Sequence, residues 1–323
     1  MHFNNISEGC RIGRIDEIDF LKGVLILLMV LFHLPFNAEF HRLTEFVYSF
    51  HMQSFLLISG ILATLDCNIS KFRRKIFYLV RVYFILEVFY LLGVSLFGGI
   101  MGSCNQINIS LEEYVNRIFL HPVGTYWYLH SLIICLIISY ILNRLIPNRA
   151  CAALIAAAAT YFICRILGIT KWNEMAYFFI GVCSRDIVMK YGLFCNIKFS
   201  PVLPVLILLL IYFYGDFCSM GWIIVGVILL ILISFMRRIP NFILDHIKCV
   251  GRNSLSIVVF SPFFTVLVKK LCLFDSLLFV FVILWFISCI AVVYLCLVCA
   301  KCLDKLKITS IVFGREMYSP FSA

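Results

Sequence analysis

The stretch that decides the fold is IDFLKGVLILLMVLFHLPF, residues 18–36. A helix of about 20 mostly apolar residues is long enough to cross the hydrocarbon core of a bilayer. Lys22 and His33 stand inside this run, and Asp19 lies near its start. Ionisable groups within a membrane helix are rare and expensive to bury, so they are functional candidates. Eleven residues make close to three helical turns, which places Lys22 and His33 on one face about 16 Å apart along the axis.

The composition of the whole chain excludes a soluble domain. Of 323 residues, 63% are hydrophobic and only 14% are charged, and the mean hydropathy is +1.03. These values predict an all-α polytopic membrane protein. Apolar runs indicate about ten transmembrane helices, near residues 18–36, 46–65, 76–97, 126–146, 150–168, 174–190, 201–217, 219–236, 250–271 and 277–302.

The positive charges predict the orientation of these helices. The formal net charge is +10, and most of the 27 Lys and Arg residues fall in or beside alternate loops. By the positive-inside rule, these loops and both termini are cytoplasmic, including a leader at 1–17 and a tail at 303–323. This distribution favours anionic membrane lipids over nucleic acid as the partner of the basic charge. No repeat or linker divides the chain, so residues 1–323 are expected to form a single transmembrane domain.

The densest basic cluster is SKFRRKIFYLVR, residues 70–81, which contains Arg73 and Arg74. One interpretation is a topology anchor at the cytoplasmic surface. The other is phosphate binding, because the planar guanidinium fork matches phosphate oxygens. The sequence leaves both open.

A second histidine, His51, opens the run FHMQSFLLISG, residues 50–60. The predicted topology brings it close to His33 near the outer surface. A neutral imidazole is suited to act as a general base near neutral pH, as acyl transfer to a hydroxyl requires. His41 and His121 are interpreted as amphipathic packing residues near the interface.

A metal site is the competing use of these histidines. Neither has a second histidine four residues away on the same helix, and neither has an acidic residue beside it in sequence. Most of the 15 cysteines lie in apolar runs and are interpreted as small buried hydrophobes, including the series Cys296, Cys299 and Cys302. We therefore predict no metal.

Several motifs resemble the membrane acyltransferase-3 family, and within it the fucose 4-O-acetylase-like group. The segment RIDEIDFLKGVLILLMVLFH, residues 14–33, is similar to the family's opening motif, with Asp19, Lys22 and His33 at matching positions. FHMQSFLLISG is similar to the second motif and carries His51 and Ser59. The resemblance extends to three later features, namely the Arg73 and Arg74 pair, the YWYL segment with Trp127 and Tyr128, and GRNSLSI with Asn253 and Ser254. Relatives often end the ninth-span motif with a histidine, where this chain has Ser261.

The resemblance implies transfer of an acyl group, usually acetyl from acetyl-CoA, to a hydroxyl of a cell-surface polysaccharide or its lipid-linked precursor, in a bacterial inner membrane. It implies catalytic roles for His33 and His51 and donor binding by Lys22, Arg73 and Arg74. Asp19, Ser59, Trp127, Tyr128, Asn253 and Ser254 are supporting candidates. Whether transfer is direct or passes through an acyl-histidine or acyl-serine, for example at Ser59, stays open.

Two other functions remain as alternatives. Ten spans with a few intramembrane charges also suit an exporter or flippase of polysaccharide. The other alternative is a non-catalytic subunit of a glycan synthesis complex. That function would not explain why Lys22 and His33 lie within an apolar helix. The sequence does not specify the acceptor sugar or the oligomeric state.

Overall fold

Helices are the only regular secondary structure in the part of the chain that the computed structural model describes, which comprises residues 15–34, 40–101, 110–169, 171–191, 201–271 and 278–318. The predicted leader therefore lies mostly outside the described residues, as does the end of the tail. The helices are α1 (Asp16–His33), α2 (His41–Tyr48), α3 (His51–Ile61), α4 (Ile69–Met101), α5 (Leu111–Phe119), α6 (Trp127–Leu145), α7 (Arg149–Leu167), α8 (Trp172–Tyr191), α9 (Val202–Tyr214), α10 (Phe217–Met236), α11 (Asn241–Arg252), α12 (Ser254–Leu271), α13 (Leu278–Lys305) and α14 (Ile308–Val312).

Five helical segments among the described residues are long and apolar enough to cross a membrane, namely Ile69–Gly93, Gly124–Leu145, Arg149–Leu167, Phe217–Met236 and Val282–Lys305. The bent pair α11 and α12 adds a sixth if it forms one span. Helices α1 and α8 each carry four charged residues, while α3 has only 11 residues and α9 only 13. The fold is thus all-α with several membrane helices, while ten spans and cytoplasmic termini stay predictions.

Two of the predicted spans are interrupted. The run 46–65 contains the end of α2 and all of α3, with a break at Ser49 and Phe50. The run 250–271 crosses a bend of 81° between α11 and α12. At this bend the side-chain amide of Asn253 donates a hydrogen bond to the carbonyl of Cys249 at 2.9 Å. The same carbonyl also accepts a hydrogen bond from the backbone N–H of Asn253 at 3.2 Å, so both bonds hold Asn253 at the end of α11.

Helix α1 lies inside the bundle, where it packs against α3, α10, α11, α12 and α13. Its closest neighbour is α11, and two glycines permit this approach. A Cβ atom on Gly251 would overlap the carbonyl oxygen of Asp19, and one on Gly23 would overlap the carbonyl oxygen of Ile247. Small residues let helix backbones approach closely in this way. Gly251, the first residue of the GRNSLSI motif, is therefore needed for the packing of α11 on α1.

A second close pair, α3 with α8, fixes the other side of the bundle. A Cβ on Gly60 would overlap the carbonyl oxygen of Phe178, and one on Gly181 would overlap that of Leu57. Because His51 opens α3, this contact sets its position relative to the beginning of α8.

The ends of these helices away from His51 are joined by polar contacts. Arg149 pairs with Asp66 and with Asp186, the latter at 2.6 Å. Arg185 donates to the carbonyl of Ile61 at 2.5 Å. These bonds connect the loop before α4 with α7 and α8. We call this the basic end of the bundle and the end that holds His33 and His51 the histidine end.

The glycine contact gives a stability prediction. We expect Gly251→Ala to destabilise the protein by about 1–3 kcal/mol, because an added methyl group in a filled space forces backbone movement. Gly226→Ala is the matched control, since a Cβ there meets nothing within 4 Å and alanine favours helix. The measurement is the apparent melting temperature in detergent. Equal melting temperatures for the two variants would contradict the close packing of α1 on α11.

Candidate active site

The C-terminal turn of α1 is held by side chains from other helices. The last carbonyl groups of a helix have no N–H partner within it. The indole N–H of Trp285 on α13 donates to the carbonyl of Leu31 at 2.6 Å. The hydroxyl of Tyr48 on α2 donates to the carbonyl of Phe32 at 2.9 Å. These two bonds fix the helix end that carries His33.

Both candidate catalytic histidines make the same local hydrogen bond. Nδ1 of His33 lies 2.7 Å from the carbonyl oxygen of Met29, and Nδ1 of His51 lies 2.8 Å from that of Val47. A carbonyl oxygen only accepts, so each Nδ1 carries the proton. In a neutral imidazole with this tautomer, Nε2 holds the lone pair. Each ring is therefore oriented as a base or acceptor at Nε2.

The structure brings the two histidines together, as the sequence predicts. Their ring centroids are 6.3 Å apart. Tyr48 lies between them, with its ring 5.5 Å from that of His33 and 5.3 Å from that of His51. All three rings therefore share one small volume.

A cavity of about 160 Å³ opens beside these rings, and we call it the histidine cavity. Its walls come from α1, α2, α3, the turn before α6, the start of α6 and the start of α8. The lining residues are His33, Tyr48, His51, Met52, Gln53, Thr125, Trp127, Lys171 and Glu174.

Three polar atoms on lining residues are buried and have no hydrogen-bond partner among the described residues. They are Nε2 of His51, Oε1 of Gln53 and Oγ1 of Thr125. Burying a polar atom without a partner costs about 1–3 kcal/mol, and such atoms are uncommon in folded proteins. These three atoms are available to hydrogen-bond a polar ligand in the cavity.

One wall of the cavity carries a cation. The ammonium of Lys171 lies 5.1 Å from the ring centroid of Trp127 and 3.3 Å from a carboxylate oxygen of Glu174. The structure thus places the predicted residue Trp127 directly in the cavity wall. The ammonium is positioned to interact with negative charge that develops in the cavity.

The segment before α6 is anchored by α4. The buried carboxylate of Glu87 accepts a hydrogen bond from the backbone N–H of Val123 at 2.6 Å. The hydroxyl of Tyr83, one turn earlier on α4, donates to the carbonyl of Ile118 at 2.5 Å. These bonds position the segment that carries Thr125 and Trp127, and they give Glu87 a structural role.

Ser59 and Tyr128 meet below the histidine cavity. Their hydroxyl oxygens are 2.8 Å apart. Ser59 lies eight residues after His51 on α3, or about 12 Å along the helix axis, and it is not among the cavity-lining residues. Tyr128 also contacts Phe55, with ring centroids 6.0 Å apart. The two predicted residues thus form a hydrogen-bonded hydroxyl pair further along α3 from His51, towards the basic end.

The other half of α1 holds a buried ionic cluster. A carboxylate oxygen of Asp19 lies 3.1 Å from the ammonium of Lys22 and the other lies 3.9 Å from Nε of Arg252. The Asp19 side chain is 8% exposed, and that of Arg252 is 10% exposed. Two cations thus share one carboxylate, and this trio retains a net positive charge.

The other donor-binding candidates, two supporting candidates and Ser261 lie elsewhere. Arg73 and Arg74 are exposed near the start of α4, at the basic end. Asn253 and Ser254 occupy the bend between α11 and α12, where Asn253 has a capping role. Ser261 is buried on α12. The structure therefore separates the predicted donor-binding residues from the histidine cavity by much of the length of α1.

Comparison with known proteins identifies the family. A family model described as an acyltransferase domain matches residues 15–301 of the chain. The chain belongs to the acyltransferase-3 family. The match extends from the start of α1 into α13 and includes every residue of the histidine cavity, so the family resemblance is confirmed. With its apolar helices, the protein is a multi-pass membrane acyltransferase. No curated protein and no solved structure shows significant similarity to the chain.

Sequence reasoning did not identify Lys171 and Glu174 of the histidine cavity or Arg252 of the ionic cluster. Arg252 follows Gly251 in a recognised motif, but its pairing with Asp19 depends on the α1 and α11 contact. Lys171 and Glu174 are a cation and an acid three residues apart between two apolar runs. This isolated pair could have been predicted to form an ion pair at a polar site, because charged groups at the edge of a membrane helix are costly unless they are paired.

The histidine tautomers can be measured directly. We expect solid-state NMR of the protein labelled with ¹⁵N-histidine to find His33 and His51 protonated at Nδ1 in their neutral forms at pH 8. The reason is that each Nδ1 faces a carbonyl oxygen. His33→Ala and His51→Ala samples assign the signals. An Nε2–H tautomer at both positions would contradict the site geometry.

Proposed function

We propose that this protein is a membrane O-acetyltransferase that moves an acetyl group from cytoplasmic acetyl-CoA to a hydroxyl of a cell-surface polysaccharide or its lipid-linked precursor. The observation that carries the proposal is the histidine cavity, where two imidazoles anchored at Nδ1 border a space with unpartnered polar atoms. The family match supports acyl transfer. The acetyl donor, the glycan acceptor, the similarity to the fucose 4-O-acetylase-like group and a bacterial inner-membrane location belong to the proposal.

His33 acts as the general base in this scheme. Its Nε2 accepts the proton of the acceptor hydroxyl while the hydroxyl oxygen bonds to the acyl carbonyl carbon. The carbon–sulfur bond then breaks, and the imidazolium returns the proton to the departing thiolate, so protons and charges balance. General-base catalysis of this kind contributes about 10²–10⁴-fold in rate.

His51 and the opposite wall assist the transfer. Nε2 of His51 accepts a hydrogen bond from the acceptor and so holds it beside His33. The hydroxyl of Thr125 and the ammonium of Lys171 are the donors for the negative charge on the carbonyl oxygen during transfer. Such preorganised donors stabilise the transition state more than the ground state.

The donor is held from the basic end. Arg73 and Arg74 are exposed there and suit phosphate oxygens through their guanidinium forks. Lys22 belongs to a trio with excess positive charge next to α1. About 16 Å of helix separates Lys22 from His33, and the extended arm of the donor would cover this distance.

The first test of this function uses the base. We expect His33→Ala to lower transfer of labelled acetyl from acetyl-CoA to surface glycan in membrane vesicles by about 10²-fold or more. His41→Ala is the matched control, because His41 lies at the same end but its side chain is 84% exposed. The control is expected to retain activity.

Equal labelling by wild type and His33→Ala at equal protein level would contradict the assignment of His33. Loss of glycan export with acetylation intact would instead support the exporter alternative.

The second test concerns the donor. We expect the double variant Arg73→Ala, Arg74→Ala to raise KM for acetyl-CoA by about tenfold, the effect of losing one hydrogen bond to a charged group, with kcat retained. Arg238→Ala is the control, because this arginine is exposed at the basic end, following α10. An unchanged KM in the double variant would assign the two arginines to topology alone.

A further inference from the structure

A second, larger cleft adjoins the histidine cavity. It encloses about 850 Å³ between α2, α8 and α10, and it shares Tyr48, Gln53 and Glu174 with the cavity. We call it the aromatic cleft, because Trp172, Tyr177 and Trp222 stand among its walls. A molecule in the cleft can therefore place one of its groups beside the histidines.

The aromatic side chains form a rigid platform. The rings of Tyr177 and Trp222 are stacked, with centroids 3.8 Å apart and planes 16° apart. Tyr177 is buried, whereas Trp222 is 46% exposed. A Cβ on Gly221 would come within 3.0 Å of the Tyr177 hydroxyl, so glycine there leaves room for the stack. An exposed aromatic face of this kind packs well against the C–H groups of a sugar ring.

The charges of the cleft are mostly negative. Three carboxylates line it, those of Glu45, Glu174 and Asp216. Asp216 accepts hydrogen bonds from the hydroxyl and backbone N–H of Ser219 at 2.5 and 3.1 Å. These bonds and that from the N–H of Cys218 lower the pKa of the Asp216 carboxyl and keep it ionised.

Arg42 is the one Lys or Arg residue among the described residues that line the cleft. Nε of Arg42 donates to the carbonyl of Tyr212 at 2.8 Å, and its guanidinium carbon lies 5.1 Å from the centroid of the Phe217 ring. The guanidinium keeps its positive charge, and Lys171 offsets the charge of Glu174, so an anionic ligand would still meet more carboxylates than cations on the cleft wall. Like charge of this kind disfavours a partner.

We infer that the aromatic cleft binds an uncharged sugar ring of the acceptor and presents its hydroxyl to the histidine cavity. This inference rests on the proposed function and adds a selectivity to it. Carboxylates accept hydrogen bonds from sugar hydroxyls, and the Trp222 platform holds the ring face. The acceptor residue that receives the acyl group is thus a neutral sugar, and a uronic acid is excluded from this position.

A different neighbouring space gives the rival outcome. A cavity of about 340 Å³ on the other side of Trp127 and Lys171 is lined by Arg117, His121 and His130 and by no acidic residue of the described part of the chain, although Arg117 pairs with Glu113 at 2.7 Å. An anionic sugar bound at the histidine end would occupy this space instead. Preferential binding of neutral sugars would therefore indicate the aromatic cleft, and preferential binding of anionic sugars would indicate the 340 Å³ cavity.

The experiment measures binding separately from transfer. Tritiated methyl glucoside and methyl galactoside, with the matching methyl glucuronoside and galacturonoside, are tested by equilibrium dialysis against the detergent-purified full chain carrying His33→Ala. We expect saturable binding of at least one neutral glycoside and at least tenfold weaker binding of its uronic counterpart. Adding Trp222→Ala is expected to weaken neutral binding at least tenfold, while Trp222→Phe retains most of it. Tyr214→Ala is the matched control, since Tyr214 is 88% exposed and does not line the cleft.

Asp216→Asn removes one negative charge, so we expect it to lower the ratio of the affinity for the neutral glycoside to the affinity for its uronic counterpart. Equal binding of both members of a pair, no saturable binding of either neutral glycoside, or binding unaffected by Trp222→Ala would each overturn the inference. Neutral binding with no acetyl transfer by the wild-type protein would instead count against the proposed function alone.

Discussion

The structure depends on one constraint, which is that polar groups inside the membrane must find partners within the protein because lipid supplies none. Helix α1 runs through the centre of the bundle and meets this constraint along its whole length. At one end Asp19 is paired with Lys22 and Arg252. At the other, Trp285 and Tyr48 bond to its last carbonyl groups. The helices around α1 are arranged so that these partners reach it.

The same constraint prepares the histidines for chemistry. Each imidazole uses Nδ1 to bond a carbonyl of its own polypeptide segment, and Nε2 of His51 is buried without a hydrogen-bond partner among the described residues. Around the cavity, Gln53 and Thr125 keep polar atoms without partners. Other buried hydroxyls without a hydrogen-bond partner among the described residues, such as those of Ser54 and Ser139, are scattered, whereas His51, Gln53 and Thr125 line one cavity. That pattern is typical of a preorganised site, where unsatisfied groups await a substrate.

The sequence predicts much of this because composition and spacing are local properties. The apolar runs indicate most helices, the spacing of Lys22 and His33 gives their shared face, and the short connection predicts the approach of His51. What it does not predict depends on contacts between distant segments. The bend at Asn253 and the pairing of Arg252 with Asp19 arise only when α11 packs on α1. The aromatic cleft likewise joins α2, α8 and α10, which no single motif describes.

The central claim is that acyl transfer takes place in the histidine cavity. The most direct measurement is an experimental structure of the protein with a non-hydrolysable acetyl-CoA analogue. The account predicts that the acyl carbonyl lies inside the cavity, where an acceptor oxygen hydrogen-bonded to Nε2 of His33 at about 3 Å can approach the carbonyl carbon to about 3–3.5 Å. An acyl group held away from His33 and His51, with the cavity closed to it, would contradict the account.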